Sequence, residues 1–317
     1  MVNWWIVWII LRNKMIFLIK NSYCRYKNKK GMNIMERTDR WNMITKYLDL
    51  LEDSPLLYHY TNVYGLEGIM KHKELWVSNA DFLNGKTERK YTEKILFNLI
   101  EEKLKNHEMR DFIIDTSKIA LDMKELPTYV LSLSKNKDSN LLWSNYSQDD
   151  GYNISFDFET LEEIENSPHL TAFKSKVIYE EEIHYEALNE LADYCISAFG
   201  KNKPKLEELV SEVNVVQTAL QLLASFFKDS CFRQEEEYRI VLIQNAENEQ
   251  NYECRVSNGT FIPYIKMKFN KNNVKGITIG PKNKMDISEE GLKSFLKLNK
   301  FNVENIEINR SKIPYRY

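Results

Sequence analysis

Residues 128–158 read TYVLSLSKNKDSNLLWSNYSQDDGYNISFDF. The runs TYVLSLS and GYNISFDF alternate apolar and polar side chains with a period of two, as strands with one buried face do. The segment between them is rich in Asn, Asp and Ser and is expected to be a loop, with Leu142, Trp143 and Tyr146 as anchors. Two alternating strands around a polar connection predict an antiparallel or mixed sheet.

Upstream, Pro55 precedes LLYHYT, an aromatic run suited to a strand. NVYGLEGIMKHKELWVS follows, with Val63, Leu66, Ile69 and Met70 at helical spacing and Asn62 placed as a cap. Leu75, Trp76 and Val77 resume a strand, and NADFLNGKTE turns into an amphipathic helix that reaches about Glu101. Trp41, Ile44, Tyr47, Leu48 and Leu51 predict a further helix near the start of the body. Downstream, 160–230 reads mainly as a helical insertion containing EEIHYEALNELADY and VVQTALQLLASFF. EEEYRIVLI, FIPYIKMKF, VKGITIG and NVENIEI supply more strands, and ISEEGLKSFLKLN a last helix. The expected class is α+β, a split mixed or antiparallel sheet with flanking helices. No internal repeat, GxGxxG turn or P-loop is present.

With 317 residues, 43% hydrophobic, the chain can bury a substantial core, and only 10 Gly and 7 Pro exclude a collagen-like or low-complexity chain. The net charge of −2 hides an asymmetry, because residues 1–31 carry seven Lys or Arg and no acid, which leaves −9 on the remainder. A mildly acidic body argues against a broad nucleic-acid-binding surface. The first 31 residues combine VNWWIVWIIL, a basic interruption at Arg12 and Lys14, MIFLI and a cationic tail. Three readings stand: membrane attachment, a mis-assigned start with the native one at Met32 or Met35, or a structural helix. Residues 32–317 are expected to form a single domain. The expected location is cytoplasmic, with membrane association resting on 1–31. The four cysteines, Cys24, Cys195, Cys231 and Cys254, form no CxxC pair, so structural zinc is not expected and reduced, mostly buried thiols are.

Three clusters carry candidate chemistry, each beside a structural reading. His59 sits between Tyr58 and Tyr60, with Thr61 following, and could orient a ribose or exchange a proton; a satisfied structural histidine, with Tyr60 in the core and Thr61 as a cap, is the alternative. Ser132 and Ser134 share a strand face and could position sugar or phosphate oxygens, while Trp143 and Tyr146 offer aromatic faces. Ordinary strand and core roles compete for all four. Glu235 and Glu237 are expected on one strand side with Arg239 two residues on, either to stabilise positive charge at an anomeric carbon or as an acidic cap with its counter-ion. His184 to Glu186 (HYE) reads as a solvated helix face, and no metal site is expected.

In order, LYHYTNVYGLEGIMKHKELWVSNADFLN, VLSLSKNKDSNLLWSNYS, FRQEEEYRIVL and VKGITIGPK resemble the DUF2971 family over residues 56–282. More remotely, the first two motifs and the acidic strand resemble the split-sheet NAD cradle of ADP-ribosyltransferases. That resemblance implies His59, Tyr60 and Thr61, with Ser132 or Ser134, around NAD. It implies Trp143 and Tyr146 near nicotinamide, Glu237 as the catalytic acid with Glu235 preceding it, and Arg239 beside them. The uninterrupted EEE and the large helical insertion depart from that pattern. The implied function is an NAD-using effector in bacterial toxicity or antiviral defence, acting on an unidentified protein or nucleic-acid acceptor. A catalytically inactive sensor or protein-binding module, and a nucleotide- or RNA-processing enzyme, are the rival expectations.

Overall fold

The computed structural model describes residues 46–48, 56–83, 85–122, 126–147, 150–158, 170–201, 205–244, 252–257, 259–283 and 286–314. Residues 1–31, and all but 46–48 of the helix expected around Trp41 to Leu51, lie outside them. The chain divides into two compact units.

One unit takes Asn84–Leu126 and Glu180–Lys228 and is helical. The other takes Leu50–Leu83, Pro127–Tyr179 and Asp229–Tyr317 and holds every strand among the described residues.

The strands are β1 (Leu57–Thr61), β2 (Glu74–Asn79), β3 (Thr128–Ser134), β4 (Tyr152–Phe156), β5 (Leu170–Lys176), β6 (Glu237–Gln244), β7 (Glu253–Ser257), β8 (Thr260–Lys268), β9 (Val274–Ile279) and β10 (Glu307–Arg310). All pairings are antiparallel except β9 with β10. The helices of this unit are α1 (Val63–His72), α4 (Asn140–Tyr146) and α7 (Ser288–Leu298). Four more, α2 (Gly85–Lys103), α3 (Arg110–Asp122), α5 (Glu181–Phe199) and α6 (Leu206–Phe226), build the helical unit. The α+β class and the largely antiparallel sheet expected from sequence are both present.

Two local expectations change. The segment before β4 is not simply a loop: Asn140–Tyr146 is α4, capped by the Ser139 hydroxyl, which accepts the Leu142 N–H. The stretch 160–230 is not uniformly helical either, since β5 pairs with β6 along its whole length. β5 carries few of the large apolar residues that mark a strand, and its place is decided by the partner it pairs with.

The sheet forks at β3. One edge of β3 pairs with β6 from Thr128↔Ile243 to Ser134↔Glu237. The other edge is shared, with Tyr58 of β1 opposite Ser134 at one end and Ser78 and Asn79 of β2 opposite Val130 and Tyr129 at the other. Among the described residues, Leu131, Ser132 and Leu133 face no strand on that edge. One arm continues β1–β4–β9–β10 and the other β2–β8–β7.

Alternation assigns the faces. Leu57, Leu131, Leu133, Tyr238, Ile240, Ile154 and Ile277 enter the main core with Leu66 and Met70 of α1 and Leu292 and Leu296 of α7. The opposite face near β1 is covered by α4, where Tyr60, Leu142 and Trp143 form a separate cluster.

In the helical unit, α5 buries His184, Ala187, Leu188, Leu191, Ala192, Cys195, Ala198 and Phe199, a stripe at three- and four-residue spacing. His184 therefore points inward and stacks on Phe227 at 4.1 Å, whereas Tyr185 and Glu186 are solvated. The reading of HYE as a wholly solvated face is corrected for the histidine, because Leu188 and Leu191 continue its face. Among the described residues α6 is the one helix long and apolar enough to cross a membrane, and 61% of its apolar window is buried within the protein.

Candidate functional site at the sheet fork

β3 and β6 bring together the residues that sequence grouped in separate motifs. Directly opposed residues point to the same face, so Tyr58, Ser134 and Glu237 form one cross-strand row and Ser132, Arg239 and Ser175 the next. Tyr60 lies on this face as well. His59 and Thr61 lie on the other, His59 opposite the core residue Ile154.

Tyr60 and Ser134 brace the turn between β3 and α4. Tyr60 Oη donates to the Asn136 carbonyl at 2.7 Å and accepts the Ser139 N–H at 2.9 Å. Burial first, and Asp138 nearby, push its phenol well above its ordinary pKa even though the Ser139 N–H pulls it down. Ser134 Oγ donates to the Glu235 carbonyl at 2.8 Å and accepts the Asn136 N–H at 3.0 Å. Trp143 packs edge-on against Tyr60 with centroids 4.8 Å apart, and its Nε1–H donates to Asp138 Oδ1 at 2.6 Å. Asp138 also accepts the Ser311 hydroxyl at 2.7 Å and the Lys312 N–H at 2.9 Å. Sequence reading passed over Asp138; an acid five residues before a tryptophan, in a turn, is its only local signal.

Glu237 and Arg239 form a buried pair two residues apart on β6. Arg239 Nε and Nη2 donate to the two carboxylate oxygens at 2.8 and 3.2 Å, and the side chains are 7% and 5% exposed for Arg239 and Glu237. The Glu237 N–H donates to the Tyr179 hydroxyl at 3.0 Å.

Glu235 is not on the strand. It ends a 3-10 turn, Ser230–Glu235, and Glu236 follows in the left-handed region at φ 44°, which breaks the expected alternation of Glu235 with Glu237. Three hydrogen bonds hold Glu236 there: its N–H to the Arg233 carbonyl, its carbonyl from the Lys135 N–H, and its carboxylate from Asn136 Nδ2.

Ser132 is exposed at the unpaired edge of β3, and Tyr146 is half exposed on α4. His59 is half-buried, and desolvation of its imidazole lowers its pKa to about 4. Its imidazole is therefore neutral near pH 7 and, among the described residues, makes no hydrogen bond.

The second arm of the fork adds a residue that sequence alone marks only as part of a strand. Trp76 is exposed on the same face as Ser78 and stacks on Tyr264 at 4.4 Å. Arg255 Nη2 donates to Ser78 Oγ at 3.2 Å.

No group of three or more His, Cys, Asp or Glu able to hold a metal ion occurs among the described residues. The arrangement can offer a ligand a free hydroxyl, an aromatic face and a fixed carboxylate–guanidinium pair around an opening in a sheet.

The segment from α4 into β6 carries Trp143, Tyr146, Glu235, Glu237 and Arg239 on one continuous stretch. Residues 142–240 match DUF2971, a protein of unknown function. The DUF2971 match thus begins within α4 and ends within the acidic strand β6, while His59 to Thr61 and Ser132 to Ser134 stand before it. No curated protein and no solved structure matches the chain.

Proposed function

We propose that the forked sheet is the cradle of an ADP-ribosyltransferase-like protein that uses NAD as co-substrate. The observation that carries this reading is the fork itself: an unpaired β3 edge with Ser132 exposed, one cross-strand row from a carboxylate whose orientation is fixed by Arg239. A ligand seated in the opening is bordered by Tyr60 and Ser132 from one face and by His59 and Thr61 from the other. Neutral His59 positions the ribose and does not act as a nucleophile. Glu237 stabilises the oxocarbenium-like C1′ as the glycosidic bond breaks and its electron pair leaves with nicotinamide. ADP-ribose then passes to a protein, nucleic-acid or water acceptor, an activity suited to bacterial toxicity or antiviral defence, with attachment to a membrane as a further role of residues 1–31.

A second reading, a binding module or sensor without catalysis, draws on the same ion pair. Arg239 neutralises much of the field that Glu237 would exert on a developing cation.

Nicotinamide release from NAD by the purified full chain distinguishes the two. The enzyme reading expects release that falls about 10²–10³-fold in Glu237→Gln and clearly in the surface variant Ser132→Ala. Because Glu237→Gln leaves Arg239 without its counter-charge, melting curves accompany the assay, and Ser132→Ala carries the test if the first variant unfolds. NAD binding without release supports the binding module; neither binding nor release removes the NAD reading.

A further inference from the structure

We propose that the edge of β7 left unpaired among the described residues is a self-association surface that joins two copies of this chain in an antiparallel β7–β7 pair centred on Cys254. β7 ends the sheet order, pairing with β8 from Glu253↔Tyr264 to Ser257↔Thr260 with no register shift. Two residues separate Ser257 from Thr260, one of them Gly259 at φ 76°, so the turn is a two-residue hairpin whose closing pair is hydrogen-bonded.

Alternation then makes 255↔262 and 253↔264 hydrogen-bonded pairs and leaves 254↔263 and 256↔261 unbonded. Pro263, which has no N–H, stands at one of those unbonded positions, as this phase requires. The backbone groups of Cys254 and Val256 therefore point away from the sheet. An unpaired edge of this kind is a template for another strand unless it is blunted.

The side chains select which strand. On one face of β7, Glu253 and Arg255 alternate; on the other stand Cys254 and Val256, flanked by Phe261 of β8, with Val256 73% and Phe261 68% exposed. Tyr252, just before the strand, is exposed too.

An antiparallel copy in register about Cys254 sets Glu253 opposite the partner's Arg255 twice. It also sets Tyr252 opposite the partner's Val256 twice, with Cys254 facing itself. Moving the centre to Val256 loses both charge pairs. Glu253 already accepts from Lys266 at 2.6 Å and from the Tyr264 hydroxyl at 2.9 Å, yet its side chain stays 55% exposed. Arg255 donates only to Ser78 among the described residues, which leaves guanidinium N–H groups for a second carboxylate.

Light scattering of the full chain in reductant is expected to show a concentration-dependent dimer. Glu253→Arg, which sets like charges opposite each other, is expected to shift it to monomer, and Glu253→Arg with Arg255→Glu to restore it. Opposed hydrogen-bonded residues have Cα atoms about 5.5 Å apart, within reach of a disulfide. Mild oxidation is therefore expected to cross-link the dimer through Cys254, with loss of the product in Cys254→Ser and its retention in Cys231→Ser. A wild-type monomer at every concentration, a dimer undiminished in folded Glu253→Arg, or a cross-link that survives Cys254→Ser overturns the proposal. If Glu253→Arg unfolds, the two cysteine variants decide alone.

Discussion

Tyr60 Oη accepts one backbone N–H and donates to one backbone carbonyl of the turn 135–139, so its removal strands the buried Ser139 N–H and the part-buried Asn136 carbonyl. Tyr60→Phe is expected to cost about 1–3 kcal/mol, read as a lower denaturant midpoint with an unchanged slope. Its neighbour His59 makes a prediction about pH. With its pKa lowered to about 4 by burial, the imidazole is neutral in both folded and unfolded chains above about pH 6.5. Between that pH and 4 the unfolded chain takes up a proton that the folded chain refuses, so stability falls as pH falls and levels off below 4. Urea midpoints measured from pH 4 to 7 are expected to show this slope in wild type and a flatter one in His59→Gln. Adjacent residues of LYHYT thus serve different ends because a strand sends them to opposite faces.

Among the elements, β3 organises the candidate site. Its alternation was legible: TYVLSLS sends Tyr129, Leu131 and Leu133 to the core and Ser132 and Ser134 to the other face, as the period of two requires. The grouping of Ser132 and Ser134 with Glu237 and Arg239 depended on strand register, which sequence periodicity does not specify across 100 residues of intervening chain. Glu235 was misplaced because a run of three glutamates carries no sign of the turn that ends at the first of them.

Close packing around α4 has its own consequence. A Cβ at Gly280 would stand 2.8 Å from the Gly151 carbonyl oxygen and 3.0 Å from the Trp143 ring, and the Gly280 N–H already donates to that carbonyl at 2.8 Å. Gly280→Ala is expected to destabilise the fold by about 1–3 kcal/mol, checked by thermal melting. The glycine of GITIGPK is set by this approach of two backbones.

Over the whole molecule, thiol chemistry follows burial. Cys195 is buried in the apolar stripe of α5, where desolvation raises its pKa far above the ordinary thiol range, whereas Cys231 is exposed. Native-state alkylation followed by mass spectrometry is expected to label Cys231 within the time that leaves Cys195 untouched, and unfolding to expose both. The expectation of mostly buried thiols holds for one of the three described cysteines.

The chain's two units also show how far local pattern reaches. The sequence by itself determined the α+β class, the alternating strands and the amphipathic stripe of α5, because each follows from spacing along a few adjacent residues. Tertiary structure alone decided that two stretches on either side of β3–β5 build one helical unit, that β3 shares an edge between β1 and β2, and that Arg239 occupies the Glu237 carboxylate. These are contacts between residues far apart in the chain, and what selects them is the burial and pairing available to each partner once all the others are in place.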